Sequence, residues 1–215
     1  MLNNYLPKKA IVSLMLCLFV IVACNKKEPA DNPGNTTPNT ADTSTKDTVH
    51  PSADTFRTFI ILKGNNYCEG NDYEVIHQSS LTFKAVFDSS CIYTSQNPDN
   101  QADINKLYGF SDCSTLHHAN SARFGWNWMN GQMHIHAYCY VDSVRQYKEL
   151  GTVELNKEIS CKIEVLPEKY IFTLNGKQDT MQRYCSDTIA YGVKLFPYFG
   201  GDEPAPHDLR IKIKE

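Results

Sequence analysis

The sequence predicts an all-β protein, an antiparallel β-sandwich of the jelly-roll kind, on three observations. Apolar and polar residues alternate with period two in several segments from Phe56 onward. Turn residues separate these segments, among them Asn130-Gly131 and Asn175-Gly176, the pairs favoured in two-residue hairpin loops. Long stretches of helical periodicity are absent there, and the one helix expected is short, around Ala102–Leu107.

The alternation is plainest in three places. Leu81, Phe83, Ala85 and Phe87 interleave with Thr82, Lys84 and Asp88; Ile159, Cys161, Ile163 and Val165 with Ser160, Lys162 and Glu164; Leu209, Ile211 and Ile213 with Arg210, Lys212 and Lys214. Each reads as a strand with one face in a core and one in water. The hairpin at Asn130-Gly131 can be read residue by residue. A two-residue turn pairs Met129 with Gln132, Asn127 with His134, Gly125 with His136 and Arg123 with Tyr138. Opposed residues share a sheet face. One face is therefore Phe124, Trp126, Trp128, Met133, Ile135, Ala137 and Cys139. The other carries Arg123, Asn127, Gln132, His134, His136, Tyr138 and Tyr140. This register makes the tryptophans core residues rather than exposed stacking platforms.

Ahead of this domain lie two segments of different character. Lys8 and Lys9 precede an apolar run, Ala10–Val22, which ends at Ala23-Cys24 and reads as an export signal over residues 1–23. Ile21-Val22-Ala23-Cys24 resembles a bacterial lipobox, so Cys24 is expected to be lipidated and to anchor the chain without a spanning helix. Asn25–Asp54 holds six Thr, four Pro, four Asn and four Asp, with Val49 as its one large aliphatic residue. It cannot bury enough apolar area to offset its ordering entropy, so residues 24–54 are read as a tether. Cys24-Asn25-Lys26-Lys27-Glu28 resembles the surface-export signal of Bacteroidota lipoproteins. Asp47-Thr48-Val49 resembles that phylum's O-glycosylation sequon. The expected address is the outer membrane, facing out.

Composition excludes some functions. The 215-residue chain carries a formal charge of −3, and loss of the signal leaves 19 Lys+Arg against 24 Asp+Glu, a charge of −5. A nucleic-acid binder would need a basic face to replace phosphate counterions. No apolar run after Cys24 approaches the ~20 residues of a spanning helix. The folded part, residues 55–215, has the size of one domain, expected to be a monomer.

Of eight cysteines, Cys17 falls in the signal and Cys24 at the lipid site. Six remain: Cys68, Cys91, Cys113, Cys139, Cys161 and Cys185. An even number in an exported chain favours disulfides. The expected pairing is Cys91–Cys113, Cys139–Cys161 and Cys68–Cys185, each stabilising by about 2–4 kcal/mol. Without a C-x-x-C pair, a zinc knuckle has no support.

The C-terminal half resembles the concanavalin A-like jelly-roll superfamily of lectins, glucanases and polysaccharide lyases. The likeness lies in the strand Gly131–Tyr140, the hairpin Tyr170–Lys177 and the closing strand Ala205–Lys214. The run Tyr198–Asp208 is similar to one in small Bacteroidota surface lipoproteins. Jelly-roll alginate lyases carry Gln-Ile-His, an Arg on a neighbouring strand and Tyr-Phe-Lys-Ala-Gly-x-Tyr. Gln132-Met133-His134, Arg123 and Tyr198-Phe199-Gly200-Gly201 resemble these in part. Gly200 stands where the family has Lys and Pro204 where it has the second Tyr, so Tyr138 would have to replace the proton-transfer group. The glucanase carboxylate signature is missing, which leaves retaining hydrolysis without a candidate pair.

The polar face, Arg123, Asn127, Gln132, His134, His136 and Tyr138, suits an acidic polysaccharide. Arg can bind a carboxylate bidentately, and Asn and Gln can bond hydroxyls. Gly125 is expected to leave room above the His136 ring. As a polyuronate lyase, Arg123 would neutralise the uronate while His134 or Tyr138 takes the C5 proton. A plain solvated face and a protein-binding or adhesion surface stay open. His134-x-His136 could offer two metal ligands, but no third is signalled. His117-His118 reads as exposed loop. No cofactor is required. A structural calcium ion at Asp202, Glu203 and Asp208, or at Asn97, Asp99 and Asp103, stands against ordinary turn chemistry.

Overall fold

The structure is a computed structural model, and the residues it describes are 55–215. The expected signal peptide, Cys24 and the tether lie outside the described residues. The strands are β1 (Arg57–Ile61), β2 (Val75–Gln78), β3 (Ser80–Phe87), β4 (Asn105–Ser111), β5 (Ser121–Met129), β6 (Gln132–Val141), β7 (Val144–Val153), β8 (Ile159–Leu166), β9 (Lys169–Leu174), β10 (Lys177–Gln182), β11 (Ala190–Leu195) and β12 (Leu209–Lys214). They form two six-stranded antiparallel sheets, ordered β1-β12-β3-β8-β9-β10 and β2-β11-β4-β5-β6-β7. This is the antiparallel sandwich expected.

Period-two patterning places the core. Every second residue of β3, β8 and β12 is buried, and the residues between them are exposed or half-buried. Aromatic rings meet between the sheets: Phe83 against Phe124 at 5.6 Å, Phe124 against Phe172 at 5.1 Å and Phe87 against Trp126 at 5.5 Å. Burying each such side chain contributes roughly 2–3 kcal/mol. The β5–β6 hairpin has the register read from the sequence, Arg123 opposite Tyr138 through Met129 opposite Gln132. Asn130 (φ 54°) and Gly131 (φ 74°) are both left-handed, as a type I′ turn requires. Trp126 is fully buried and meets Tyr93 edge-on, while Trp128 packs against the core from its margin.

Two expectations need correction. Ala102–Leu107 is not a helix. A 3₁₀ turn spans Pro98–Ala102, capped by the Asn97 side chain on the Asp99 N–H, and β4 begins at Asn105. Leu107 and Phe110 are fully buried, and the ladder to β5 satisfies this backbone, so tertiary burial outweighs local propensity.

The disulfide pairing is also different. Cys113 joins Cys185, and Cys68, Cys91, Cys139 and Cys161 are buried free thiols. The expected pairs fail because Cys91, Cys139 and Cys161 are core side chains, each 0% exposed. They act there as small hydrophobes. Burial pushes the Cys68 thiol up to about 11 and Cys91 to about 12, with Cys139 and Cys161 raised further. Since the thiolate is the reactive form, these groups are inert.

Beside the bridge, Arg183 bonds Asp112 Oδ2 at 2.7 Å, Asp187 Oδ1 at 2.8 Å and the carbonyl oxygens of Cys185 and Ile189. Tyr170 also donates to Asp112 Oδ2, at 2.6 Å. The side chains of Arg183 and Asp112 are both 0% exposed. This is a buried charge with full compensation.

Candidate functional site: a cationic cleft on one sheet

The outer face of the sheet containing β4–β7 carries the polar residues read from the hairpin, and loops divide it into two parts. Near the hairpin turn the face is sealed. Ile104 sits over Gly125, where a Cβ would lie 2.4 Å from its Cγ2. The room expected above the His136 ring is therefore filled by the segment entering β4. Asn127 Nδ2 donates to the Ala102 carbonyl at 3.1 Å. This orientation turns its Oδ1 toward His136 Nε2, 3.0 Å away, which donates. Burial, ahead of the smaller effects of Glu149 and His134, pulls the His136 ring down to about 4, so it is neutral. His134 faces acceptors on both sides, Glu149 Oε1 at 3.0 Å and the Met129 carbonyl at 3.2 Å. Both ring nitrogens are taken up by these contacts, and His134 is not among the residues lining the open part of the cleft. Gln132 is exposed beside the turn.

Beyond this seal the same face opens into a cleft of about 500 Å³, within the range of small-molecule sites. Lys106 from β4, Arg123 from β5, Tyr138 and Tyr140 from β6, Arg145 from β7 and Val193, Lys194 and Leu195 from β11 supply its sheet-borne lining, with Lys194 already paired to Glu74 and Glu215. Lys106 and Arg145, with Tyr138 and Gly201, also line an adjoining recess of about 80 Å³ toward Tyr147. Arg123 and Tyr138 thus stand in the cleft, whereas Asn127, His134, His136 and Gln132 line neither space.

Arg123 and Lys106 each have a local reason for their position. Arg123 crosses Gly109, where a Cβ would lie 2.8 Å from its Cγ, so the missing side chain on β4 makes room for the arginine stem. Its Cζ stands 5.3 Å from the Tyr138 ring centroid. Arg123 is 6% exposed and its Nε has no hydrogen-bond partner. Lys106 Nζ donates to the Gly200 carbonyl at 2.8 Å and lies 5.2 Å from the Tyr138 ring and 5.6 Å from that of Tyr198. Backbone bonds in both directions between Lys106 and Tyr198 fix this arrangement. Among the described residues the ion pairs all use other cations. Lys106, Arg123 and Arg145 have no carboxylate of the described residues at ion-pair distance.

The electrostatic consequence is visible in the titrating groups. Burial first, then Arg123, brings the Lys106 ammonium down to about 8, against a smaller opposing pull from Asp103. Burial also lowers Arg123 and raises the Tyr138 phenol to about 12. A cluster of like charges on a chain of net negative charge is prepared for an anion.

The remaining lining includes aromatic rings, two imidazoles and two carboxylates, Asp72 and Asp202. Tyr67 meets Tyr198 edge-on at 4.9 Å, and the His117 and His118 rings lie 4.1 Å apart, tilted by 57°, against the cleft. The two histidines are wall residues, not merely the exposed loop expected, and burial, then Arg123, pulls His117 down to about 4. Gly200, the departure from the lyase pattern, has φ +106°, and a Cβ there would meet the Glu203 carbonyl at 2.4 Å. No side chain fits at that position, and the cleft's lysine arrives from β4 instead.

The expected calcium residues are not brought together. Glu203 caps the backbone N–H groups of Gln96 and Asn97, at 2.8 and 2.7 Å, and takes the Asn100 amide. Asp208 accepts from the Lys63 N–H at 3.0 Å, and Asp202 lines the cleft. Asn97 caps the 3₁₀ turn. Among the described residues the one group with metal-ligand spacing is Asp112, Cys113 and Cys185. Its two sulfurs are bonded to each other and its carboxylate to Arg183. His134 and His136 gain no third ligand.

No protein-family profile and no curated protein matches the chain. Among solved structures it is similar to the alginate lyase AlyC3, at 10% identity over 74% of this chain and 88% of that one, with a TM-score of 0.45. A family 7 alginate lyase, A1-II′, gives 13% identity over 74% and 77%, also at 0.45. The carbohydrate binding module CBM66 from Bacillus subtilis gives 10% over 65% and 74%, at 0.35. Likenesses of this size carry nothing about the site.

Proposed function

We propose that this chain is a lipid-anchored, surface-exposed domain that binds an acidic polysaccharide in the cleft between Arg123, Lys106 and Arg145. One observation carries the reading: an arginine nine-tenths buried, with an unpartnered Nε, opens onto a cleft lined with tyrosines. Burying an uncompensated cation is unfavourable, so the arrangement makes sense if an anion completes it. Guanidinium geometry matches a carboxylate, and the Tyr67 and Tyr198 rings offer amphipathic faces for a sugar. A cleft, rather than a flat polar face, favours a glycan over a broad protein surface. Retention of the purified protein on a panel of neutral and acidic polysaccharides tests this. Acidic glycans should retain it, and Arg123→Met should release it. Equal retention of wild type and variant would overturn the assignment.

A second reading, a polyuronate lyase acting by β-elimination, draws on the Arg123–Tyr138 pair in the same cleft. A phenol raised to about 12 is suited to giving a proton to the leaving oxygen rather than taking one at neutral pH, and the neutral His117 imidazole in the cleft wall would take the C5 proton. Formation of an unsaturated product in the same mixtures, lost in Tyr138→Phe, would establish it.

A further inference from the structure

We infer that the cleft takes two negative charges at once, on neighbouring sugar rings, with Arg123 and Lys106 holding one and Arg145 the other. This rests on the acidic-glycan reading and narrows its ligand class to polyanions of high charge density.

Three cations gather on this face, and Tyr138 is common to them. Arg123 Cζ and Lys106 Nζ stand 5.3 and 5.2 Å from its ring centroid. Arg145 and Tyr138 both line the cleft and the recess that continues it. Arg145, opposite Tyr140 on β7, has its own guanidinium 5.8 Å from Tyr147. The cations feel one another: Arg123 and Arg145 both act against the Lys106 charge. One bound carboxylate would compensate one of the three. A second anion in the recess beside Arg145 would compensate another.

The carboxylates within reach do not already do this. Facing Lys106 are Asp103 from its own leading segment, Arg123 from β5, Tyr138 from β6, Arg145 from β7 and Tyr198 with Asp202 from the segment after β11. Of these, Asp103, which also lines the recess, and Asp202 are the acids, and among the described residues neither forms an ion pair. The anion held by Arg123 and Lys106 also has a proton consequence. Lys106 is half-deprotonated near pH 8 when the cleft is free. An anion beside it favours the ammonium, so seating the ligand at that pH takes up as much as about half a proton from solvent.

Isothermal titration of the full chain tests the inference with three probes: a disaccharide of two uronic acids, a disaccharide of one uronic acid and one neutral sugar, and a neutral disaccharide carrying two sulfate esters. Either doubly charged probe should bind at least about tenfold tighter than the singly charged one. Arg145→Gln should bring them level. Repeating the diuronate titration at pH 8 in buffers of different ionisation enthalpy should show proton uptake that Lys106→Gln removes. Tighter binding of the sulfate ester would identify sulfation as the source of the charge, and tighter binding of the diuronate would identify adjacent uronates. Equal affinity for singly and doubly charged probes would overturn the two-charge inference and leave the acidic-glycan reading standing. Binding of none of the three would overturn both.

Discussion

The molecule contains two buried arginines that should respond in opposite ways to the same substitution. Arg183 is enclosed by Asp112, Asp187 and three further carbonyl oxygens, with Asp112 as deeply buried as itself. Arg183→Met leaves the Asp112 carboxylate without its counter-charge, a loss of about 3–5 kcal/mol. For a domain of this size, that lowers Tm by roughly 6–20 °C. Arg123 is also buried but lacks an acid partner and has an idle Nε. Arg123→Met keeps an unbranched stem over Gly109 and relieves a buried charge, while giving up a cation–π contact of about 0.5–2 kcal/mol. The two effects nearly cancel, so stability should move by no more than about 1 kcal/mol. Its loss should appear in binding. Removing charge-assisted hydrogen bonds to a carboxylate forfeits about 1.5–3 kcal/mol, or roughly 10–150-fold in affinity for an acidic glycan. Thermal unfolding and titration of both variants measure the four numbers. If Arg123→Met unfolds as easily as Arg183→Met, its guanidinium is a structural group and the reasoning for a ligand site is wrong.

Other consequences follow from the same geometry. In the ligand-free protein, Lys106 loses its proton near pH 8 when folded but near 10.5 when unfolded, so the unfolded state holds more protons between those values. Stability at this site should rise from pH 8 to 10.5, and Lys106→Met should flatten that rise in denaturant titrations. On the acid side, His136 and His117 bind protons near pH 4 when folded and near 6.5 when unfolded. Their contribution is complete above 6.5 and falls away toward pH 4, and His136→Gln should reduce the acid sensitivity. Cys113–Cys185 closes a separation of 72 residues, so Cys113→Ala with Cys185→Ala should lower stability by about 4 kcal/mol, read from urea unfolding. Alkylation mapping should find Cys68, Cys91, Cys139 and Cys161 unmodified in the native protein and labelled after unfolding. Cys24→Ser should move the chain from the membrane fraction to the soluble fraction of expressing cells; retention in the membrane would remove the lipid-anchor proposal.

What could be read from the sequence was what period and turn chemistry determine locally. Asn130-Gly131 sets the β5–β6 register, and from that register the face assignments of Arg123, Tyr138 and the tryptophans follow without reference to the rest of the chain. Two neighbouring strands were less legible, and with them two of the three cations. Lys106 lies opposite Gly125 on β4, but the segment Ala102–Leu107 lacks clean alternation because β4 is buried on nearly every residue. Arg145 lies opposite Tyr140 across a turn at Asp142 and Ser143, both with positive φ, a pair with a weaker hairpin signature than Asn-Gly. Extending the hairpin through that turn would have located Arg145. The sealing of His134, His136 and Asn127 depends on Ala102, Ile104 and Glu149 arriving from other elements, and no local pattern encodes it. The cysteine pairing was illegible for a similar reason, since parity does not distinguish a thiol in a core from one in a loop.

The most direct test of the cleft as an acidic-glycan site is a crystal structure of the protein soaked with an oligouronate. A carboxylate within hydrogen-bond distance of the Arg123 guanidinium, with the sugar between Tyr198 and the β4–β7 surface, is the predicted result. Sugar density elsewhere on the molecule, with the Arg123 guanidinium untouched, would contradict it.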